Sequence, residues 1–122
     1  MTRLPPALAA ALDAVKYLKI RSGDHRFIHI WVVVTGGRVL VRSWNDKRDG
    51  WYRAFLAEPR GAILLGETEI PVRAVRVRSA RLIDAASDAY AAKYDTKANL
   101  KYTRGFRTMK RKATTLELLP AP

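Results

Sequence analysis

Cysteine is absent from the sequence, and it contains only two histidines. Without cysteine the chain forms no disulfide and offers no thiolate for a metal site or for nucleophilic catalysis. His25 and His29 have the spacing of two metal ligands on a helix, but they lie in a predicted turn and strand, and no third ligand is near. A G-x-S-x-G motif is also absent, so neither a metal site nor hydrolase chemistry is expected.

Long apolar runs are lacking as well. None approaches the roughly 20 residues that a membrane-spanning helix needs. Near the N-terminus, Pro5, Pro6 and Asp13 interrupt the pattern that a signal peptide requires. Hydrophobic residues make up 48% of the 122 positions, and this length suits one domain with one core. We therefore expect a single domain over residues 1–122, in the cytoplasm and without membrane contact.

Positive charge is what the sequence has in excess. It contains 23 Lys and Arg against 11 Asp and Glu, which gives a formal net charge of +12. This balance favours association with anions, so nucleic acid, acidic lipid and phosphorylated cofactors are candidate partners. A basic protein without any nucleic-acid role is an equal alternative at this point.

Two β-hairpins are the clearest structural elements. The runs "FIHIWVVV" and "RVLVRSW" are separated by Thr35-Gly36-Gly37, whose glycines suit a tight turn. The runs "GAILL" and "EIPVRAVRVRS" are separated by Gly66-Glu67-Thr68. In the last run the apolar face changes between Ala74 and Val75, which indicates a bulge or a bend in the strand.

Three helices accompany the hairpins. Helical periodicity predicts the first over residues 6–17. The segment "WYRAFL" predicts a short helix that Asp46 or Asp49 would cap and that Pro59 would end. The apolar face of "ARLIDAASDAYAAKY" predicts a longer helix. The segment from Asp95 to Lys112 is predicted to be irregular. The segment "ATTLELL" is predicted to form the last strand. With a short strand before the first hairpin, these elements predict an α+β fold around a six-stranded, mostly antiparallel barrel.

The stretch "VRSWNDKRDGWYRAF" has the features of an anion site. A strand that ends near Arg42 and Ser43 leads through a loop into a helix, where free backbone N–H groups and the positive dipole end favour an anion. Lys47 and Arg48 add positive charge at that point. The sequence therefore predicts an anion site at this junction.

Aromatic and acidic residues in the same stretch refine that prediction. Trp44 and Trp51 could enclose a planar ring, which favours an aromatic ligand. Asp46 and Asp49 would repel a phosphate unless they turn away to cap the helix. Whether the carboxylates leave the anion site open or close it is left undecided by the sequence.

A second candidate is the basic segment from Lys93 to Lys112. It carries eight basic residues and one acidic residue, interleaved with Tyr94, Tyr102 and Phe106. Cations contact phosphates and aromatic rings stack on bases, so this mixture suits single-stranded nucleic acid or an aromatic phosphorylated cofactor. The alternative is a solvated loop whose aromatic residues attach it to the barrel.

The sequence also resembles known families. The run "WNDKRDGWYRAFLAEPRGAILLGETEIPVRAVRV" is similar to the FMN-binding split-barrel superfamily, especially its deazaflavin-dependent nitroreductase-like branch. The segments "IDAASDAYAAKYD" and "KATTLELLP" look like a bacterial family of unknown function, domain-of-unknown-function family 2255, which we group with those split barrels. Together the two resemblances cover most of the chain from Phe27 to Pro120.

The resemblance implies a six-stranded split β-barrel, usually a homodimer, that holds a flavin-type phosphate near the strand-to-helix loop. Carried over to this sequence, Lys47 and Arg48 match the basic pair before the inserted helix. Trp51 and Tyr52 match a Trp-Tyr pair of the nitroreductase-like branch, where packing is the expected role. Arg42 and Ser43 lie at the end of the strand that would face FMN or a deazaflavin. Trp44 or Trp51 would lie near the ring.

A deazaflavin of this kind carries an anionic tail, and the resemblance places that tail on the basic segment. The residues concerned would be Lys97, Lys101, Tyr102, Arg104 and Arg107. Two departures weaken phosphate binding: Asp46 stands where flavin oxidases often have Ser, and only Arg21-Ser22-Gly23 remains of a basic, glycine-containing hairpin. The alternative that this chain is a relative of those families that binds no cofactor, or a different ligand, therefore remains.

The function expected from the sequence is a flavin- or deazaflavin-binding oxidoreductase-like protein of unknown substrate. The ring would carry the hydride and the protein would supply position and electrostatics, so no catalytic side chain is assigned. Two alternatives remain, a nucleic-acid-binding module that uses the segment from Lys93 to Lys112 and a cofactor-free dimeric scaffold.

Overall fold

The structure is a computed structural model that describes residues 2–121. Within that range the chain forms five α-helices, which are α1 Pro6–Ala14, α2 Trp51–Ala57, α3 Ala80–Lys93, α4 Leu100–Gly105 and α5 Met109–Lys112. A 3₁₀ turn at Lys97–Asn99 precedes α4. The strands are β1 Leu18–Ser22, β2 Ile28–Ile30, β3 Val33–Thr35, β4 Arg38–Val41, β5 Arg60–Leu65, β6 Thr68–Arg76 and β7 Leu116–Pro120.

The strands form one antiparallel sheet in the order β2-β1-β5-β6-β7-β4-β3. β2 and β3 lie at opposite edges of this sheet, although only Trp31 and Val32 separate them in sequence. The sheet therefore curls until its two edges approach each other at this dipeptide, which gives a half-barrel. The predicted α+β class and barrel-like sheet are confirmed in this form, whereas the predicted strand number of six is wrong, because "FIHIWVVV" forms two strands.

Side chains from the end of α3 compensate for the break between β2 and β3. The Val32 N–H donates to the Tyr94 hydroxyl at 3.1 Å, and the Val32 carbonyl accepts from Lys93 Nζ at 2.7 Å. Buried backbone groups need hydrogen-bond partners, and here two side chains replace a neighbouring strand. The chain can then leave one edge of the sheet and join the other.

Both predicted hairpin turns are confirmed. Gly36 and Gly37 have φ angles of 58° and 76° between β3 and β4, and Gly66 has φ of 62° between β5 and β6. Positive φ is the region in which glycine carries no steric penalty. The glycines therefore determine where both hairpins reverse.

Of the two alternatives predicted for β6, a bulge or a bend in the strand, the bulge is wrong. Its pairing runs in continuous register from Thr68 opposite Leu65 to Arg76 opposite Leu116. Apolar residues change face near the end of this strand because the outer face is covered there too, and Val77 packs into a cluster beneath α3.

The sheet has an inner and an outer apolar cluster. The inner cluster is closed by α1 and α2 and includes the fully buried Leu12, Ile20, Phe55, Ile63 and Leu118. The outer cluster lies between β3, β4 and the helices α3 and α4, and includes Val33, Leu40, Leu82, Tyr90 and Phe106. The predicted N-terminal helix and long helix are both confirmed, although α1 ends at Ala14 rather than at residue 17.

Candidate functional site

A cavity of about 470 Å³ lies where β2, the loop from β4 to α2, and α4 meet. Its size is within the range of small-molecule sites, roughly 300–1,000 Å³. Six aromatic residues line it: Tyr17, Trp31, Trp44, Trp51, Tyr102 and Phe106. The other lining residues are Ile28, His29, Ile30, Arg42, Asn45, Lys47, Gly50 and Asn99.

Trp31 contacts three other aromatic residues at this cavity. Its ring stacks on Tyr94 with centroids 4.0 Å apart and planes 4° apart. Tyr102 and Phe106 meet it edge-on at 6.1 Å and 6.0 Å. Such offset and edge-to-face contacts each stabilise by about 0.5–1.5 kcal/mol beyond area burial. Trp31 is therefore a fixed surface rather than a mobile side chain.

Trp44 is fixed from several directions. The Arg111 guanidinium lies over its ring at 3.5 Å from the centroid, and Arg111 Nε donates to the Trp44 carbonyl at 2.9 Å. Gly105 packs so closely that a Cβ there would lie 2.4 Å from Trp44 Cη2 and Cζ3. The end of α4 thus needs a residue without a side chain in order to accommodate this indole.

Arg42 lines the cavity, but its side chain is bound mainly to other parts of the protein. Its side chain is buried and donates to the Thr115 hydroxyl, the Ser87 hydroxyl and the carbonyls of Phe106 and Ile83, at 2.8 to 2.9 Å. Burial lowers the pKa of this guanidinium. Four of its five N–H donors are used within the protein, so Arg42 chiefly holds α3 and α4 onto the sheet beside the cavity.

The other residues of the predicted anion site divide into two groups. Trp44, Lys47 and Trp51 line the cavity, as Arg42 does, whereas Ser43 and Arg48 are not among its lining residues. Ser43 is buried, and its hydroxyl donates to the Asn45 carbonyl at 2.7 Å. The structure thus brings four of the six predicted residues to one cavity.

Neither acidic residue of the loop caps α2, so that prediction is wrong. The N-cap is Gly50, without a side-chain hydrogen bond to the helix. Asp46 instead accepts two hydrogen bonds from Arg53, at 2.6 and 2.9 Å, and this contact lowers the pKa of the carboxyl group. Asp46 lines a separate cavity of about 100 Å³ next to Lys110, so its charge is paired and lies outside the main cavity.

The segment from Asp95 to Lys112 is helical, which makes the predicted irregular structure wrong. Hydrogen bonds within the 3₁₀ turn, α4 and α5 replace the expected loop. Tyr94 and Phe106 are buried, and Tyr102 packs against Trp44 with centroids 4.9 Å apart. Tyr94 and Phe106 therefore point into the protein, whereas Tyr102 is partly exposed and lines the cavity.

The predicted tail contacts lie mostly away from the cavity. Tyr102 lines it, whereas Lys97, Lys101, Arg104 and Arg107 are exposed and do not. Arg107 pairs with Asp88 at 3.1 Å on the helix surface. A cofactor tail on this segment remains a prediction.

Sequence reasoning did not identify Tyr17, His29, Trp31 and Asn99 as lining residues. Trp31 carried the one available signal, because a bulky aromatic residue interrupts the β-branched run at the point where the strand divides. Tyr17 and Asn99 reach the cavity from distant parts of the chain, and no local pattern marks them.

The profile of a bacterial family described as "uncharacterized protein conserved in bacteria" (DUF2255) matches residues 10–118 of this chain. The chain belongs to the DUF2255 family. It is also similar to the crystal structure of the conserved hypothetical protein Rv2991 from Mycobacterium tuberculosis, with a TM-score of 0.61 and 12% sequence identity over 99% of this chain and 81% of that one. At this identity the similarity concerns the fold. No curated protein matches the sequence.

The cavity of this DUF2255 protein has a one-sided electrostatic character. Arg42 and Lys47 are cationic, and no Asp or Glu side chain of residues 2–121 is among the lining. His29 is an exposed lining residue and meets Tyr17 edge-on at 6.4 Å. An aromatic cleft with cations and no carboxylate suits a planar ligand that carries negative charge.

Two features are not found in the described part of this DUF2255 chain, a metal-binding cluster and a membrane-spanning helix. No cluster of three His, Asp or Glu residues within it could hold a metal ion. No helix among residues 2–121 has the length and apolar character needed to cross a bilayer.

Proposed function

We propose that this DUF2255 protein binds a flavin or a deazaflavin in the aromatic cavity and acts as an oxidoreductase-like protein. The observation that carries the proposal is the combination of six aromatic lining residues with Arg42 and Lys47 and without a carboxylate. An isoalloxazine-type ring is planar and largely apolar, and its phosphate is anionic. The lining offers complementary chemistry to both parts.

The residues present fit such a group in distinct ways. Trp44 precedes most of the loop that leads into α2, and Trp51 is the first residue of that helix. Both side chains line the cavity. Lys47 lies in the same loop, and its carbonyl accepts from the Gly50 N–H at 3.0 Å, which fixes the turn before the helix. The aromatic residues would hold the ring, and Lys47 would contact the phosphate.

A bound flavin or deazaflavin would supply the hydride chemistry, and the protein would supply orientation and electrostatics. The chain then needs no acid, base or nucleophile at fixed spacing. The buried Arg42 adds positive charge beside the cavity, where it favours an electron-rich or anionic form of a ligand.

Membership of the FMN-binding split-barrel superfamily is part of the same proposal. The curled antiparallel sheet and the position of the cavity at the loop before α2 support it, as does the resemblance of "WNDKRDGWYRAFLAEPRG" to that superfamily. A homodimer belongs to this proposal as well. Light scattering of the purified protein at several concentrations tests it, and a monomer throughout would contradict the dimer.

The first experiment is an absorbance spectrum of the purified protein, followed by titration with FMN, riboflavin and a deazaflavin. We expect quenching of Trp fluorescence, with weaker binding of riboflavin because it lacks the phosphate. Absence of a chromophore together with absence of quenching up to high micromolar ligand would refute the proposal. The cofactor-free scaffold would then be favoured.

Two matched pairs of variants locate the site. Lys47→Ala should weaken FMN binding about tenfold, since a charge-assisted hydrogen bond stabilises by roughly 1.5–3 kcal/mol, whereas Arg48→Ala, which removes the neighbouring charge outside the cavity, should have little effect. Trp51→Ala should reduce binding of both FMN and riboflavin. Leu56→Ala, on the exposed side of the same helix, serves as its control. Equal effects of Lys47→Ala and Arg48→Ala would show that general surface charge, not the cavity, determines binding.

A further inference from the structure

The outer surface of β1, β5 and β6 is a second place where positive charge collects. Ile20 and Ile63 are directly opposite each other and belong to the inner cluster. Because strand residues alternate between faces, their sequence neighbours point outward. The outward residues on these three strands, here called the outer basic face, are Lys19, Arg21, Arg60, Ala62, Leu64, Glu69, Pro71 and Arg73.

The outer basic face holds an unusual pair of residues. Arg60 and Arg73 are directly opposite each other in the β5–β6 ladder. Like charges at such positions destabilise a sheet, because their Cβ atoms are only about 4.5–5.5 Å apart. Neither side chain forms an ion pair with any residue between positions 2 and 121. Two adjacent guanidinium groups therefore remain without a neutralising partner in the described part of the chain.

The rest of the face does not offset this charge. Glu69 is its one carboxylate, and it is occupied by Arg21 at 3.0 Å. Glu58, just before β5, accepts the Arg60 backbone N–H at 3.1 Å, so its negative charge lies beside Arg60 but forms no ion pair with either guanidinium group. Lys19 lies on β1, the strand next to β5, and its side chain is exposed. The helices pack on the inner face or over β3 and β4, so they do not cover this charge.

We propose that the outer basic face binds the phosphate backbone of a nucleic acid, with one phosphate held jointly by Arg60 and Arg73. Guanidinium groups bind phosphate oxygens in a bidentate manner, and an anion placed between two of them relieves their repulsion. A polymer with regularly spaced phosphates also matches cations arranged across three neighbouring strands. The binding is independent of base sequence, because these cations contact phosphates and not base edges.

Arg60 and Arg73 lie outside the aromatic cavity, since no residue of β1, β5 or β6 lines it. The face approaches the cavity at Lys19, whose partner across the ladder, His29, is a lining residue. It also differs from an acidic-lipid site. The large exposed apolar side chains that could enter a bilayer, Tyr17, Leu56, Leu100, Tyr102 and Met109, all lie outside these three strands. Charge without an apolar anchor favours a soluble polyanion over a membrane surface.

The test measures fluorescence anisotropy of a labelled single strand and a duplex at several salt concentrations. We expect the double variant Arg60→Ala/Arg73→Ala to weaken binding at least tenfold at low salt. The slope of log affinity against log salt should become shallower by roughly 0.7–0.9, because the variant loses the one phosphate contact that Arg60 and Arg73 share. The matched control, Lys97→Ala/Lys101→Ala, removes the same charge from the 3₁₀ turn and α4 and should leave both quantities nearly unchanged.

A further variant separates binding from folding. Arg60→Glu places opposite charges across the β5–β6 ladder, so its melting temperature should equal or exceed that of the wild type while nucleic-acid binding is lost. Binding that survives in Arg60→Glu, or that is lost in the Lys97/Lys101 control instead, would overturn the proposal. The proposal would also be overturned if the wild-type protein bound phosphatidylserine vesicles but bound neither the single strand nor the duplex. FMN titration of the same variants should be unaffected.

Discussion

At the scale of single residues, Gly105 determines how the Trp44 wall of the cavity is built. Alanine normally stabilises a helical position relative to glycine by about 1 kcal/mol. Here a Cβ would meet the Trp44 ring at 2.4 Å, and that ring is confined by Arg111 and Tyr102. We expect Gly105→Ala to lower the free energy of unfolding by about 1–3 kcal/mol, the usual cost of overpacking.

Chemical denaturation of a double-mutant cycle checks this explanation. Trp44→Phe removes the two ring atoms that the new methyl group would meet. The loss caused by Gly105→Ala should therefore be much smaller in the Trp44→Phe background. An equal loss in both backgrounds would mean that the cost comes from the backbone and not from the indole.

At the scale of elements, the parts of the fold that depend on local signals were predictable from sequence. Glycines marked both hairpins, two in the first turn and one in the second, and apolar periodicity marked α1 and α3. The division of "FIHIWVVV" was not predictable, because the partners of Val32 come from Lys93 and Tyr94, about 60 positions later in the chain. The same holds for the site. The loop before α2 was predicted from its own residues, but Arg42 binds residues 41 to 73 positions away in the sequence, and the pairing of Asp46 with Arg53 was not predicted.

The pairing of β1 with β5 depends on a close approach at Gly61. A Cβ at this position would lie 2.0 Å from the Arg21 carbonyl oxygen and 3.0 Å from Phe55 Cε1. Backbone atoms cannot move aside without breaking the ladder, so Gly61→Ala should destabilise by about 3 kcal/mol or more. Gly50→Ala is the matched control, since its φ is −81° and its nearest neighbour is at 3.3 Å. Urea unfolding of both variants measures the difference, and comparable stability would contradict the predicted clash.

At the scale of the whole molecule, buried tyrosines make stability depend on alkaline pH. Burial raises the pKa of Tyr94 to about 12 from a usual value of 10.0, and it also raises the pKa of Tyr90. The folded state therefore holds these protons more tightly than the unfolded state. This contribution is fully present below pH 10 and is lost as the pH rises toward 12. For Tyr94 it corresponds to about 2–3 kcal/mol, at 1.36 kcal/mol for each unit of pKa.

The two tyrosines are opposed by one lysine. Burial lowers the pKa of Lys93 below its usual 10.5, so its contribution to stability increases as the pH rises to that value. Urea unfolding at pH 8, 10 and 11 should therefore show little change at first and a marked loss above pH 10. Tyr94→Phe should be less stable at pH 8, because it loses hydrogen bonds to Val32 and Lys16. It should nevertheless lose less stability between pH 10 and pH 11 than the wild type does, and an equal loss would show that Tyr94 ionises freely in the folded protein.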